Sequence, residues 1–487
     1  MNGIRRALAV TTGERYINLA ATFAMTVTVS RLLTPSEVGV WAIGLAIATM
    51  LLGAREFTSG VFLVQKRDLV HEDVRGAFTA MLLMSALIAG VLAAGAPLVA
   101  GIYGEPRLIS YLRIAAIAVL LEVFAMPLVA LMRRDMAFTQ LALVNVTSVA
   151  VFNGLTVLLA VLGFSYMSFA WAWAAAAGLS SMLAIGFRRD VSVFWPSLRH
   201  WRGMLVFGGY NGLNVFLFRL YEAVPTAVLG RVSLDAAGLY NRALLVCQLP
   251  DKVVLGGAIP VILPALSAEA RAGRDLKAPY LRAVSFITAV QWPALVVMAL
   301  LSHPAVHILL GDQWLGVVPL VQIIALASLF SFTAELNFPV LVSLGAMKDL
   351  LLRGLIAWPT SAVIIASASL FGLTAVALSF FVIVPFQAYV SLYFVRRHVS
   401  IAWSELFAAV WPSAVIAALS ATGPLCVVLY LGLRFDMPIP MALLAATLAA
   451  IGWLAGVWLT GHPMLDELRV GGSLLRSSAV RWKSRPQ

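Results

Sequence analysis

"LNVFLFRLYEAVPTAVLG", residues 213–230, is apolar enough to cross a bilayer, yet Arg219 and Glu222 interrupt it three residues apart. A charge at the bilayer centre costs from about 3 kcal/mol on insertion scales to 10 or more in simulations. The two residues share one helix face at this spacing. A helix that carries them must turn that face toward other helices or water. The fold therefore depends on whether the rest of the chain supplies such surroundings.

Composition places the chain in a membrane. Its 487 residues are 61% hydrophobic and 11% charged, with a mean hydropathy of +0.95. Soluble domains run nearer 45–50% apolar and about 25% charged. The net charge of +12 raises nucleic acid as a partner. Its basic residues lie in short clusters between apolar runs, however, as cytoplasmic loops do, so no nucleic acid is assigned. Cys247 and Cys426 fall inside apolar stretches and make no disulfide framework. The start "MNGIRRALAV" imitates a leader, but Glu14 and Arg15 interrupt the apolar region that follows. It reads as a retained first span.

With roughly 20 apolar residues per pass, fourteen spans are expected. They lie near 10–31, 39–63, 77–99, 109–131, 139–162, 168–187, 204–229, 237–265, 283–302, 318–343, 353–370, 373–395, 405–431 and 438–460. One side of this scheme holds 24 of the 34 lysines and arginines and the other holds five, Arg31, Arg107, Arg113, Arg231 and Arg434. The positive-inside rule then puts both termini in the cytoplasm. No external loop is long enough for a soluble domain.

The stretches "TPSEVGVWAIG" (34–44) and "SLDAAGLYNRA" (233–243) align at a displacement of 199, matching Gly39-Val40-Trp41 to Gly238-Leu239-Tyr240. A repeat of six spans keeps the same orientation, which is the parallel-repeat plan of many transporters. The expected organisation is an N-terminal lobe over 1–187, a basic and aromatic cytoplasmic linker over 188–203, and a second lobe over 204–398. Spans thirteen and fourteen follow over 399–461, then a basic cytoplasmic tail over 462–487. Gly208-x-x-x-Gly212 and Gly452-x-x-x-Gly456 are candidate sites of close helix packing.

The intramembrane charges concentrate on spans one, two, seven and eight: Arg15, Arg55, Glu56, Arg219, Glu222, Arg242, Asp251 and Lys252. Pro225, Pro250, Pro260 and Pro264 interrupt spans seven and eight, as happens where helices bend or line a cavity. Arg219 and Glu222 are therefore expected to face a wet central cavity, with self-neutralising ion pairs that lock helices together as the other reading. Glu122 and Glu335 read as solitary acids. Enzyme motifs are absent: no G-x-x-x-x-G-K-[ST], H-E-x-x-H or paired C-x-x-C. His303 and His307, beside Asp312, have ligand spacing but are split by Pro304, and no metal or cofactor is assigned.

"SRLLTPSEVGVWAIG", "VQKRDL", "GAPLVAGIYGEPRLISYLRI" and "ALMRRDMAF" resemble bacterial polysaccharide transporters. These are the Wzx-type oligosaccharide flippases of the MOP superfamily, in the exopolysaccharide and lipopolysaccharide branch. The resemblance implies an all-α polytopic membrane protein, with two six-helix lobes around a central cavity and an extra helix pair. It implies a flippase, not an enzyme, that moves undecaprenyl-pyrophosphate-linked oligosaccharide across the bacterial inner membrane by alternating access. Implied partners are the lipid-linked substrate, the bilayer, H+ or Na+, and polysaccharide polymerase and export proteins. On the family's pattern Arg15, Arg55, Arg219, Arg242 and Lys252 become candidate pyrophosphate-binding residues, since arginine grips phosphate bidentately. Glu56, Glu222 and Asp251 become candidates for ion coupling. Two alternatives remain: a drug or metabolite antiporter of the same superfamily, and a membrane polysaccharide polymerase or ligase.

Overall fold

The computed structural model describes residues 2–58, 60–66, 68–197, 201–252, 262 and 266–466. The side chain of Glu335, the second half of the pass expected at 237–265, linker residues 198–200 and the basic tail beyond 466 lie outside that description.

Among the described residues the chain is helical, with no strand. Ten helices among the described residues are long and apolar enough to cross a membrane. The bent pair Arg107–Glu122 and Ala125–Arg134, which turns by 42°, brings the total to eleven when taken as one span. The fourteen expected passes thus shrink under a hydropathy criterion for a physical reason. Asn2–Leu32 and Trp201–Val232 have 31 and 32 residues, ample at about 1.5 Å per residue, but their charged and amide side chains lower their apolarity. The pass expected at 318–343 divides into Val318–Ala327 and Phe332–Ser343 around a 3-10 turn at Ser328–Phe330.

Local sequence sets the helix ends. Pro35–Leu52 begins at Thr34, which forms a capping box with Glu37: the Glu37 N–H donates to Thr34 Oγ1 at 3.3 Å and the Thr34 N–H donates to Glu37 Oε2 at 2.8 Å. Pro35 stands at a first-turn position, where a missing N–H does no harm. This helix passes into a 3-10 segment, Gly53–Thr58, before continuing as Val61–Gln65. Span two is therefore broken at mid-depth.

Packing groups the chain into two compact units that do not follow chain order. The first comprises Met1–Ala243, Leu309–Val317 and Met347–Ser379, and the second comprises Leu244–Ile308, Val318–Ala346 and Phe380–Gln487.

In the first unit, the aligned glycines of the repeat meet in a reciprocal contact. A Cβ on Gly39 would lie 2.0 Å from the Leu234 carbonyl oxygen, and a Cβ on Gly238 would lie 2.1 Å from the Pro35 carbonyl oxygen. Leu234 is Pro35 displaced by 199, so each half of the contact repeats the other. Around it Val40, Ile43, Leu108 and Ala237 are fully buried. At the opposite end of this unit, Leu63, Phe78, Met81, Leu128 and Leu131 form a core that takes in Phe194 from the linker. The linker's first half is pinned there: Arg75 Nε donates to the Trp195 carbonyl at 3.1 Å, and the Ser197 N–H donates to Thr79 Oγ1 at 2.9 Å.

The second unit has its core at Tyr280, Val284, Ile287, Leu336, Val340 and Val395. Its helix pair Trp403–Tyr430 and Ile439–Leu459 packs through the G-x-x-x-G expected at 452–456. A Cβ on Gly452 would lie 2.3 Å from the Leu419 carbonyl oxygen, and one on Gly456 would lie 2.9 Å from Ile416 Cα. Small residues at this spacing let two backbones approach closely.

Candidate functional site

Arg55 sits in the 3-10 break of span two, and Glu122 ends the helix Arg107–Glu122 just before its 42° bend. The Arg55 guanidinium reaches Glu122 Oε2 from both terminal nitrogens, at 3.1 and 3.0 Å. A pair of breaks in two different helices is thus bridged by opposite charges. Glu122, solitary in the sequence, is Arg55's partner. Interrupted helices free backbone polar groups, which membrane proteins tolerate only where protein or water satisfies them.

Arg219 and Glu222 form the expected i,i+3 pair, with Nη1 to Oε2 at 2.7 Å and both side chains nearly half exposed, at 46% and 45%. Their helix lies directly on the broken part of span two. A Cβ on Gly53 would come within 3.1 Å of Arg219 Cβ, and one on Gly212 would come within 2.9 Å of the Phe57 ring. Arg55, Glu122, Arg219 and Glu222 therefore stand on touching elements of one unit. Glu56 is half-buried in the same 3-10 segment.

Arg242 has different surroundings. It is 2% exposed, and its guanidinium lies between the rings of Trp41 and Trp314, 5.6 and 5.5 Å from their centroids. Its Nε has no hydrogen-bond partner. Cation–π contacts with desolvated rings are worth about 2 kcal/mol each, which offsets part of the burial. Trp314, which lies between the passes expected at 283–302 and 318–343, is fully buried and donates Nε1–H to the Ser30 carbonyl at 2.7 Å. Gln313 beside it donates to the carbonyls of Ser30 and Leu33 at 2.6 and 3.0 Å. These carbonyls stand at the end of Asn2–Leu32, Ser30 in its last turn and Leu33 just past it, where intrahelical donors run out. The segment around 313–314 thus caps span one and encloses Arg242.

Asp251 and Lys252 lie in a π-type turn after Pro250 in the second unit. Asp251 Oδ1 accepts from Gln291 Nε2 at 2.9 Å, and the same nitrogen donates to Ser331 Oγ at 3.1 Å. Gln291 is 1% exposed, and its Oε1 has no partner. Ser331 follows the 3-10 turn that splits Val318–Ala327 from Phe332–Ser343, so Asp251 too is held where helices break. Lys252 and Arg15 are exposed.

The structure thus joins two of the five candidate cations, Arg55 and Arg219, on adjoining elements and encloses a third, Arg242. The sequence reading named Glu122 without its partner and missed Trp41, Trp314 and Gln291. Trp41 was visible only as part of the repeat, and Gln291 carried no local signal.

Residues 28–319, more than half of the chain, match the family described as "Polysaccharide biosynthesis protein". The chain belongs to this family. It is similar to the succinoglycan biosynthesis transport protein ExoT of Rhizobium meliloti (strain 1021), 26% identical over 306 residues that cover 61% of this chain and 60% of the relative. It is also similar to the teichuronic acid biosynthesis protein TuaB of Bacillus subtilis (strain 168), 19% identical over 289 residues covering 59% and 60%. These alignments span about three-fifths of the relatives' length. Among solved structures, the lipid II flippase MurJ in an inward closed conformation matches with a TM-score of 0.72 at 11% identity, over 94% of this chain and 99% of that one. An inward-facing multidrug resistance MATE transporter matches with a TM-score of 0.62 at 14% identity, over 79% and 98%. The family member described here is therefore a multi-pass membrane protein with the fold shared by MATE transporters and MurJ.

Proposed function

We propose that this protein is a flippase, not an enzyme, that moves undecaprenyl-pyrophosphate-linked oligosaccharide units across the bacterial inner membrane for exopolysaccharide or lipopolysaccharide biosynthesis. The observation that carries the reading is the pair of ion pairs: Arg55–Glu122 bridges the breaks of two helices, and Arg219–Glu222 stands on the continuous helix packed against one of those breaks. Family membership supports the pathway, and the one relative named as a transport protein, ExoT, supports the class. The likeness to MATE transporters is one of fold and does not favour the antiporter reading.

In this scheme the two lobes, 1–187 and 204–398, alternate access to a site between them, with both termini in the cytoplasm. A diphosphate offers more charge and more acceptor oxygens than a single carboxylate. Arg55 and Arg219 would exchange their glutamates for it, each through a bidentate fork. The displaced Glu122 and Glu222 would then be open to a coupling cation, H+ or Na+. Substrate entry is thereby linked to cation binding, and substrate departure restores the ion pairs. Arg15, Arg242 and Lys252 contribute positive potential along the route, and Glu56 and Asp251 supply further carboxylates for H+ or Na+. Polymerase and export proteins receive the product.

The test is polysaccharide export in cells that express variants at matched membrane levels. A charge-assisted hydrogen bond contributes about 1.5–3 kcal/mol, so Arg55→Ala or Arg219→Ala should weaken substrate binding about ten-fold or more. Arg219→Lys keeps the charge and loses the planar fork, so it retains more export than Arg219→Ala but less than the native protein. Normal export by the Arg55→Ala, Arg219→Ala double variant would end the clamp reading and leave these arginines as helix-packing charges.

A further inference from the structure

A cavity of about 520 Å³ opens in the second unit, on the side to which the lysine and arginine count assigns the cytoplasm, well away in sequence from the charged pairs above. It is lined by Lys277, Tyr393, Arg396, Arg397, Ile401 and Glu405. The one anion in this lining is engaged: Glu405 pairs with Lys277 at 2.6 Å and accepts from the Ala402 N–H at 2.9 Å. Arg396 is held in place from two directions. Its Nε donates to the Ile401 carbonyl at 2.8 Å, and its guanidinium lies over the Trp403 ring, 4.6 Å from the centroid. Both terminal nitrogens of the fork are left for another acceptor. The N-terminus of Trp403–Tyr430 borders the same cavity, adding the positive end of a helix dipole.

The surface beside this cavity is apolar and aromatic. Trp403, Phe407 and Trp411 stand at i, i+4 and i+8, hence on one face of a single helix, with exposures of 49%, 63% and 57%. Phe407 and Trp411 stack with centroids 5.7 Å apart, and Trp403 lies parallel to Tyr389 at 6.5 Å. An exposed aromatic stripe that starts at a basic cavity fits a molecule with an anionic head and a long apolar body.

We propose that this cavity binds the phosphodiester headgroup of an anionic glycerophospholipid, with Arg396 and Arg397 on the phosphate and the acyl chains along Trp403, Phe407 and Trp411. The chain's own C-terminal segment does not suit the place, since all five charged residues after 468 are basic. A soluble phosphate would use the cations and leave the aromatic stripe unused. Lys277, Arg396 and Glu405 come from the ends of three different helices, Lys277–Leu300, Leu373–Arg396 and Trp403–Tyr430. A headgroup seated among them ties those ends together. The site is independent of what the protein transports.

The experiment is lipid binding to the purified full chain, followed by native mass spectrometry and thermal unfolding. The probes are phosphatidylglycerol, phosphatidylcholine with the same acyl chains, and soluble glycerol phosphate. Phosphatidylglycerol should bind and raise the unfolding temperature, phosphatidylcholine should do so at least about five-fold more weakly, and glycerol phosphate should do neither. Each cation near an anionic lipid is worth about a five-fold factor in affinity. Arg397→Gln should therefore weaken phosphatidylglycerol by about that much, Arg397→Lys should weaken it less, and Phe407→Ser should weaken it without changing the charge. Arg396→Gln should weaken it further. If that variant fails to fold, because Arg396 also holds the Ile401 turn, Arg397→Gln still decides. Equal responses to the two lipids, or native affinity in Arg397→Gln, would overturn the proposal. A full response to glycerol phosphate would overturn the lipid and leave a soluble anion as the ligand.

Discussion

Gly39→Ala adds one methyl group at the point where the two copies of the repeat touch. The new Cβ would sit 2.0 Å from the Leu234 carbonyl oxygen, whereas ordinary contact begins at 3.4 Å. The backbones must part by about 1.4 Å, the difference of those two distances, because the obstacle is a carbonyl and not the end of a flexible side chain. Overpacking of this kind costs about 1–3 kcal/mol. A loss of about 2 kcal/mol shifts the balance between packed and parted states of this turn roughly 30-fold toward parted. Val40, fully buried beside the contact, reports the shift when replaced by cysteine in a background lacking Cys247 and Cys426. A membrane-impermeant maleimide added from outside should then label it about 30-fold faster in Gly39→Ala, with Gly238→Ala acting alike. Gly90→Ala is the control, since a Cβ there meets nothing within 4 Å. Labelling and thermal stability in Gly39→Ala that match the control would refute the reasoning.

Burial pushes the His462 imidazole below its ordinary value of 6.5. The ring lies just past the last span, where Nδ1 accepts from the Met464 N–H at 3.2 Å and Nε2 stands 2.7 Å from Ser285 Oγ. A histidine held neutral when folded contributes stability fully present above about pH 6.5 and lost as pH falls below it toward the depressed value. Unfolding temperature should therefore drop on that acidic limb, and His462→Gln should flatten it; an unchanged limb in the variant would assign the acid loss to other groups. Topology is checked by cysteine labelling: residues 200 and 475 should react only from the cytoplasm and residue 312 only from outside. External labelling at 200 would overturn the two-lobe scheme.

What the sequence determined by itself follows from short-range physics. Hydropathy and the basic clusters identify a polytopic membrane protein because the bilayer penalises polar backbone and unpaired charge wherever they occur. The Arg219–Glu222 pair was legible because residues three apart on a helix are neighbours by construction. The Gly452–Gly456 packing face was legible for the same reason. The alignment of Gly39 with Gly238 was also readable, although the sequence could not show that the two glycines face each other.

Tertiary structure decided the rest. Arg55 is 67 residues from Glu122, and several acids stood at comparable depth, so only helix packing selects the partner. Arg242 and Lys252 look equivalent in the sequence, ten residues apart in one expected span. Packing encloses the first between Trp41 and Trp314 and leaves the second exposed. Asn2–Leu32 and Trp201–Val232, already expected as spans at 10–31 and 204–229, keep their charges because a helix shielded by neighbours is free to carry charges that lipid would reject. Periodicity acts within a helix and is written in the residues, whereas the choice of which helix faces a charge is made only when the helices assemble.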